Sequence, residues 1–201
     1  MQLTLVFFGM TATGKSYLAR AWAEKWQCPY FNSDSVRKEL AGRVPESRVK
    51  SALNDGIYSP VFTRRTYDEL MRRAELEILE KGVRCIVLDA SYQSRKERDL
   101  VRYRLGGLCR VIFVHCICSE PVIRERLIQR ANDPHAVSEG HWQIYLEQKK
   151  NFDIPKELGA GSLITLETEK TLPELLQILE ENICVLGENL SFTTPVEKRK
   201  L

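Results

Sequence analysis

Apolar residues fall in short unbroken runs, and between the runs they recur every three to four positions as far as Ile183. Short apolar runs bounded by turn residues read as buried strands, and the longer period reads as amphipathic helix. Leu3 to Phe8 is the first strand and Lys15 to Trp26 the first helix. Cys28 to Asn32 reads as a second strand, and a short helical stretch begins at Val36 and runs to Leu40. Gly42, Pro45, Asn54, Asp55 and Gly56 then mark a loop long enough to carry function. Val61 to Lys81 is helical, with Gly82 placed to stop it, and Cys85 to Leu88 is the third strand. A charged helix from Ser94 to Leu105 leads to a fourth strand, Arg110 to Cys118, and to a helix opened by Ser119, Glu120 and Pro121. Ser138 to Asn151 continues as helix, Leu163 to Leu166 is the fifth strand, and a last helix runs from Thr171 to Ile183.

Strands that are apolar throughout and alternate with helices predict an α/β fold. Each parallel crossover needs a helix, so the sheet is covered on both faces. The pattern predicts one domain over residues 1–186 and a polar C-terminal tail over 187–201.

Composition narrows the class. Hydrophobic residues make up 43% and charged residues 28% of 201 positions, the profile of a globular chain rather than a disordered one. Thirty basic side chains against 27 acidic ones leave a net charge of +3, too balanced to coat DNA or an anionic membrane by bulk charge. The opening MQLTLVFF lacks a basic leader, and no apolar stretch is long enough for a membrane span, so the expected location is cytoplasmic. Six dispersed cysteines without a CxxC pair are expected to be free thiols, and His115, His135 and His141 lack ligand spacing.

Gly9-Met10-Thr11-Ala12-Thr13-Gly14-Lys15-Ser16 fits GxxxxGK[ST] and lies between the first strand and the first helix, where the motif belongs. The glycines permit main-chain N–H groups to turn toward phosphate oxygens. Lys15 supplies charge to the β- and γ-phosphates, Ser16 a hydroxyl to Mg²⁺, and Tyr17 continues the helix whose N-terminus favours an anion. A nucleoside triphosphate is the expected ligand.

The acceptor side is read from the carboxyl ends of the next strands, where ligands collect in open α/β sheets. Asp34 and Arg37 stand three residues apart after the second strand. Asp34 is suited to take a proton from an attacking hydroxyl and Arg37 to clamp an anion; the alternative is a helix cap and a solvated arginine. Asp89 ends the third strand, as a Mg²⁺-ordering or acceptor-touching carboxylate or as a turn cap. It is followed by Ala90 rather than Glu, which argues against a motor-type ATPase. Ser91, Tyr92 and Gln93, with the Gly42 to Pro60 segment, are candidates for the acceptor pocket; Tyr92 or Tyr58 would stack on a base or a sugar, or pack in the core. Arg126 and Arg130, one turn apart, would close over the triphosphate as a lid or form an exposed charged face. Arg95, Lys96, Arg98, Arg102, Arg104 and Arg110 would guide a polynucleotide or line a solvated helix.

GMTATGKS, NSDSVRKELAG, SPVFTRRTYDEL and CIVLDASYQSRKERD, with the arginine-bearing helix, together resemble a family of P-loop kinases. Members of that family stand alone or are fused to aminoglycoside-phosphotransferase-like domains. More distantly the chain is similar to polynucleotide 5′-kinases, gluconate kinases, chloramphenicol phosphotransferase and the zeta toxins, over roughly residues 1 to 170. The resemblance implies a P-loop NTPase with a parallel sheet in the order 2-3-1-4-5 and a helical lid, using ATP and Mg²⁺. It also implies Asp34 as general base, Arg37 as an acceptor-phosphate ligand, and Arg126 and Arg130 as lid arginines. The expected activity is γ-phosphate transfer to a hydroxyl of a small molecule or a nucleic-acid 5′ end. A nucleotide-binding regulator without an acceptor is the other reading, and no NKxD is present to make it a GTPase.

Overall fold

In the computed structural model, residues 2–44, 56–131 and 141–187 are described. β1 (Leu3–Phe8) is buried at every position, which is why its sequence shows no polar alternation. α1 (Lys15–Trp26), β2 (Tyr30–Asn32) and α2 (Ser33–Leu40) follow. A 3₁₀ turn (Gly56–Tyr58) precedes α3 (Pro60–Leu79), β3 (Cys85–Asp89) and α4 (Arg95–Leu105). The order is completed by β4 (Arg110–Ile117), α5 (Glu120–Ala131), α6 (Trp142–Asn151), β5 (Leu163–Glu167) and α7 (Leu172–Val185).

The five strands are parallel in the order β2-β3-β1-β4-β5, as the resemblance implies. α3 and α4 cover one face, packing Leu70, Met71, Ala74 and Val101 onto Val6, Phe8, Leu88 and Phe113. α1 and α7 cover the other, with Leu18, Trp22, Leu175 and Leu179 against Leu5, Phe7, Val87 and Ile164. Edge strand β5 buries Ile164 and Leu166 while Thr165 and Glu167 face solvent, so only one side of it is apolar. Among the described residues no helix is long and apolar enough to cross a membrane.

Local chemistry moves several boundaries. α2 begins at Ser33, three residues before its apolar pattern, because the Asn32 side chain accepts the N–H groups of Asp34 and Ser35. α3 begins at Pro60, with Ser59 as cap and proline preset for the first helical turn. Ser94 and Glu97 cap α4 reciprocally, and Glu174 accepts the Thr171 N–H at the head of α7. Pro45, Asn54, Asp55, His135 and Ser138, with most of the 187–201 tail, lie outside the described residues.

Candidate active site

β1 ends at Phe8 and the chain turns at once into the loop 9–16. Gly9 has φ +141, and a Cβ there would stand 2.4 Å from the Cys116 carbonyl oxygen of neighbouring β4, so no larger residue fits. Gly14, at φ +82, turns the chain into α1. Between them Ala12 is also left-handed, at φ +61.

Three carbonyls of this loop accept side-chain hydrogen bonds. Met10 O accepts Lys15 Nζ (3.3 Å) and the Thr13 hydroxyl (2.9 Å). Thr13 O accepts the Thr168 hydroxyl at 2.6 Å, and Ala12 O accepts Arg126 Nη1 at 3.3 Å. Arg126 is anchored in turn by Thr168, through its hydroxyl at 3.0 Å and its carbonyl at 2.6 Å. With the carbonyls engaged, the N–H groups of Ala12, Gly14, Lys15 and Ser16 donate to no protein acceptor among the described residues. Consecutive free N–H groups at a helix N-terminus form an anion cradle. Thr11 is the exception: its N–H donates to Gln148 Oε1 on α6 at 2.6 Å. The hydrophobic cluster of Met10, Ala12, Ile123, Leu127 and Tyr145 seats α5 and α6 against the loop.

Asp89 stands beside the cradle, in register with Phe7 on one side and Asn32 on the other. It is fully buried. Its Oδ2 accepts the Tyr30 hydroxyl (2.7 Å) and Asn32 Nδ2 (2.6 Å), while Oδ1 has no hydrogen-bond partner among the described residues. Burial and then the Asp89 charge push the Tyr30 phenol far above its ordinary value, so it stays a donor. A buried carboxylate oxygen without a partner suits a hydrated cation, and Ser16 lies in the first turn of α1.

Asp34 occupies the first turn of α2, half-buried. Asn32 does the capping, which removes the cap alternative for Asp34, and no hydrogen bond or ion pair among the described residues engages its carboxylate. Arg37 is buried rather than solvated. Its Nη1 donates to Ile57 O (2.6 Å) and Thr63 Oγ1 (3.0 Å), its guanidinium lies 5.0 Å from the Tyr58 ring, and Nε has no partner among the described residues. One guanidinium thus ties α2 to the 3₁₀ turn and α3.

Ser91 O accepts the Gly9 N–H at 3.2 Å, placing the β3–α4 loop directly against the cradle. Of the two roles open to Tyr92, the structure shows packing. It has φ +39 and a fully buried ring 5.0 Å from Tyr67, so in this structure it is a core residue and offers no face for stacking. The loop is held by buried Arg98, which donates to Tyr92 O, Gln93 O and Asp153 O and pairs with Glu157 at 2.5 Å. The basic stretch on α4 is largely neutralised as well, Arg95 and Arg102 by Asp99 and Arg104 by Glu75. His115 stacks against both Phe8 and Phe152, which also stack on each other, and burial followed by the Arg98 charge pulls it down to about 4.

The structure therefore gathers the loop 9–16, Asp89, Ser91 and Arg126 around one cradle. Arg126 is a wall of that cradle rather than part of an exposed face; Arg130 is half-buried, one turn further along α5. The segment that would join a lid to α6 lies outside the described residues. Thr168 and Gln148 were not foreseen. Thr168 directly follows β5, so the strand-end rule points to it. Gln148 carries no local signal, because its partner is 137 residues away.

A family model described as an AAA domain matches residues 5–155. An uncharacterized protein of Mycobacterium tuberculosis is 30% identical over 125 residues, 61% of this chain. The chain covers only 24% of that relative's length. A gluconokinase from Sinorhizobium meliloti 1021 is similar in structure, with a TM-score of 0.62 at 19% identity over 96% of this chain and 97% of that one. The APS kinase of Mycobacterium tuberculosis, solved with AMPPNP and APS, gives a TM-score of 0.60 at 18% identity over 90% and 97%.

Proposed function

The chain belongs to the AAA domain family and has the fold of P-loop kinases, and from that premise we propose that it transfers the γ-phosphate of ATP to a hydroxyl of a small molecule. The observation that carries the reading is the cradle itself: four main-chain N–H groups without acceptors among the described residues, on the loop after β1, with a buried carboxylate oxygen left unpartnered at the end of neighbouring β3. ATP is the nucleotide favoured by the AMPPNP complex of the similar APS kinase. A small acceptor is favoured by the sugar and gluconate kinases among the similar structures and by the internal pairing of the basic helix.

In this reading the loop N–H groups bind the β-phosphate and Lys15 exchanges its contact with Met10 O for phosphate oxygens. Ser16 and Asp89 would hold Mg²⁺, which would supply positive charge against the phosphates. Asp34 takes the proton of the attacking hydroxyl. Arg37 and Ser91 border the acceptor, with Arg37 Nε as the donor left for an anionic group. Arg126, beside Gly14, and Arg130 stabilise charge on the transferred phosphoryl group.

The test is transfer of labelled γ-phosphate from ATP to nucleosides, 5′-hydroxyl oligonucleotides, sugars and aminoglycosides. Label is expected on a small hydroxyl compound, and Lys15→Met is expected to lower turnover by at least about 100-fold. Label on the oligonucleotides alone would replace the small acceptor by a polynucleotide. Turnover that survives Lys15→Met would remove the cradle from the reaction.

Gln148→Leu should strand the Thr11 N–H and loosen the loop. Leaving a buried donor unsatisfied costs about 1–3 kcal/mol, so the Kd for ATP, read by calorimetry, should rise about tenfold.

A further inference from the structure

The phosphate chemistry lies at the carboxyl end of the sheet, and at the opposite end one cysteine stands just before β2 and another opens β3. β2 pairs with β3 through Tyr30 opposite Val87 and Asn32 opposite Asp89. The pairing extends back to Pro29, whose carbonyl accepts the Val87 N–H at 2.9 Å. Two residues upstream on each strand, the same register sets Cys28 opposite Cys85. Side chains two apart share a face, and Cys28, Tyr30 and Val87 do pack with Trp22 in the cluster beneath α1.

Neighbouring strands lie about 4.8 Å apart, inside the roughly 4.4–6.8 Å Cα separation that a disulfide spans. Cys28 Sγ donates to the Trp26 carbonyl at 3.6 Å, and the neighbouring Cys28 side chain, ahead of burial, pushes the Cys85 thiol up. Both are free cysteines. Their access to solvent differs. Cys85 is 6% exposed, whereas Cys28 is half-buried and lines a surface cavity with Arg20, Glu24, Gln27 and Tyr30. Cys109 and Cys116 differ: Cys109 is on the opposite face of the sheet against Thr4, and Cys116 is fully buried.

We propose that Cys28 and Cys85 form a peroxide-reactive thiol pair, a modification site separate from the nucleotide cradle. A hydroperoxide reaching the cavity takes the Cys28 sulfur to the sulfenic acid, its O–O bond breaking and an alcohol or water leaving. The Cys85 sulfur then attacks Cys28, the S–S bond forms, and the hydroxyl leaves with the Cys85 proton as water. Two thiols lose two electrons and two protons, and the hydroperoxide is reduced. The bond fastens β2 to β3 just upstream of Tyr30 and Asn32, the two residues that hold Asp89.

Peptide mapping of the full chain tests this. The reduced protein is treated with hydrogen peroxide, alkylated with N-ethylmaleimide and digested without reductant. The expected product is a peptide pair joined through Cys28 and Cys85, two hydrogens lighter than the separate peptides. In Cys85→Ser the reaction should stop at Cys28 sulfenic acid, captured by dimedone; in Cys28→Ser, Cys85 should remain alkylatable. Cys28 driven to sulfinic acid in the unmutated protein while Cys85 stays alkylatable would overturn the pair, as would a linked peptide joining Cys85 to Cys109. The unmutated protein decides the matter if a serine variant does not fold. The result does not depend on the kinase reading.

Discussion

Asp34→Asn is expected to lower kcat for the best acceptor by about 10²–10⁴-fold, the usual contribution of a positioned general base, while the Kd for ATP stays unchanged. Two structural features make this substitution clean. The N-terminus of α2 is capped by Asn32, so Asp34 is not needed to start the helix. Its carboxylate makes no hydrogen bond or ion pair among the described residues, so an isosteric amide removes proton affinity without breaking a contact. Asp89 offers no such experiment, since its Oδ2 already holds Tyr30 and Asn32 and an amide there would disturb both. Steady-state kinetics with nucleotide binding measured in parallel separates the two outcomes. Full transfer by Asp34→Asn would show that the proton leaves by another route.

What could be read from the sequence follows the range of the forces involved. β1 and the loop 9–16 are local features: a fully apolar run beside a glycine-bounded turn announces a buried strand and an anion cradle with no knowledge of the rest of the chain. The start of α2 was hidden because one capping side chain, Asn32, overrides three residues without apolar pattern. The sequence alone leaves Tyr92 between stacking and packing, because a bulky residue with φ +39 is stabilised by its surroundings, here Tyr67 and the Arg98 contacts to its carbonyl. Arg98 itself was hidden among other bases. Arg95, Arg98 and Arg102 look alike along the sequence, and only the chain returning at Asp153 and Glu157 distinguishes the buried one.

That distinction sets the largest expected effect on stability. Arg98 has 0% exposure and Glu157 5%, and removing one member of a buried ion pair costs about 3–5 kcal/mol because the other charge is left uncompensated. Glu157→Gln is expected to cost about that much in urea unfolding at neutral pH, and to lower Tm by about 10 °C for a chain of this length. Arg98→Met should cost more, because the carbonyls of Tyr92, Gln93 and Asp153 lose their donors as well. Acid supplies a second readout. Burial alone would raise the Glu157 carboxyl, but the hydrogen bond and charge of Arg98 outweigh it and hold the carboxyl below its ordinary value. A carboxyl depressed in the folded state contributes stability above its unfolded value and loses it as pH falls through the folded one. The gap between the unmutated protein and Glu157→Gln should therefore be constant at neutral pH and narrow in acid. A Glu157→Gln protein that unfolds within about 1 kcal/mol of the parent at pH 7 would show that the pair is dispensable, and that the β3–α4 loop beside the cradle is held by Tyr67 and Ser91 instead.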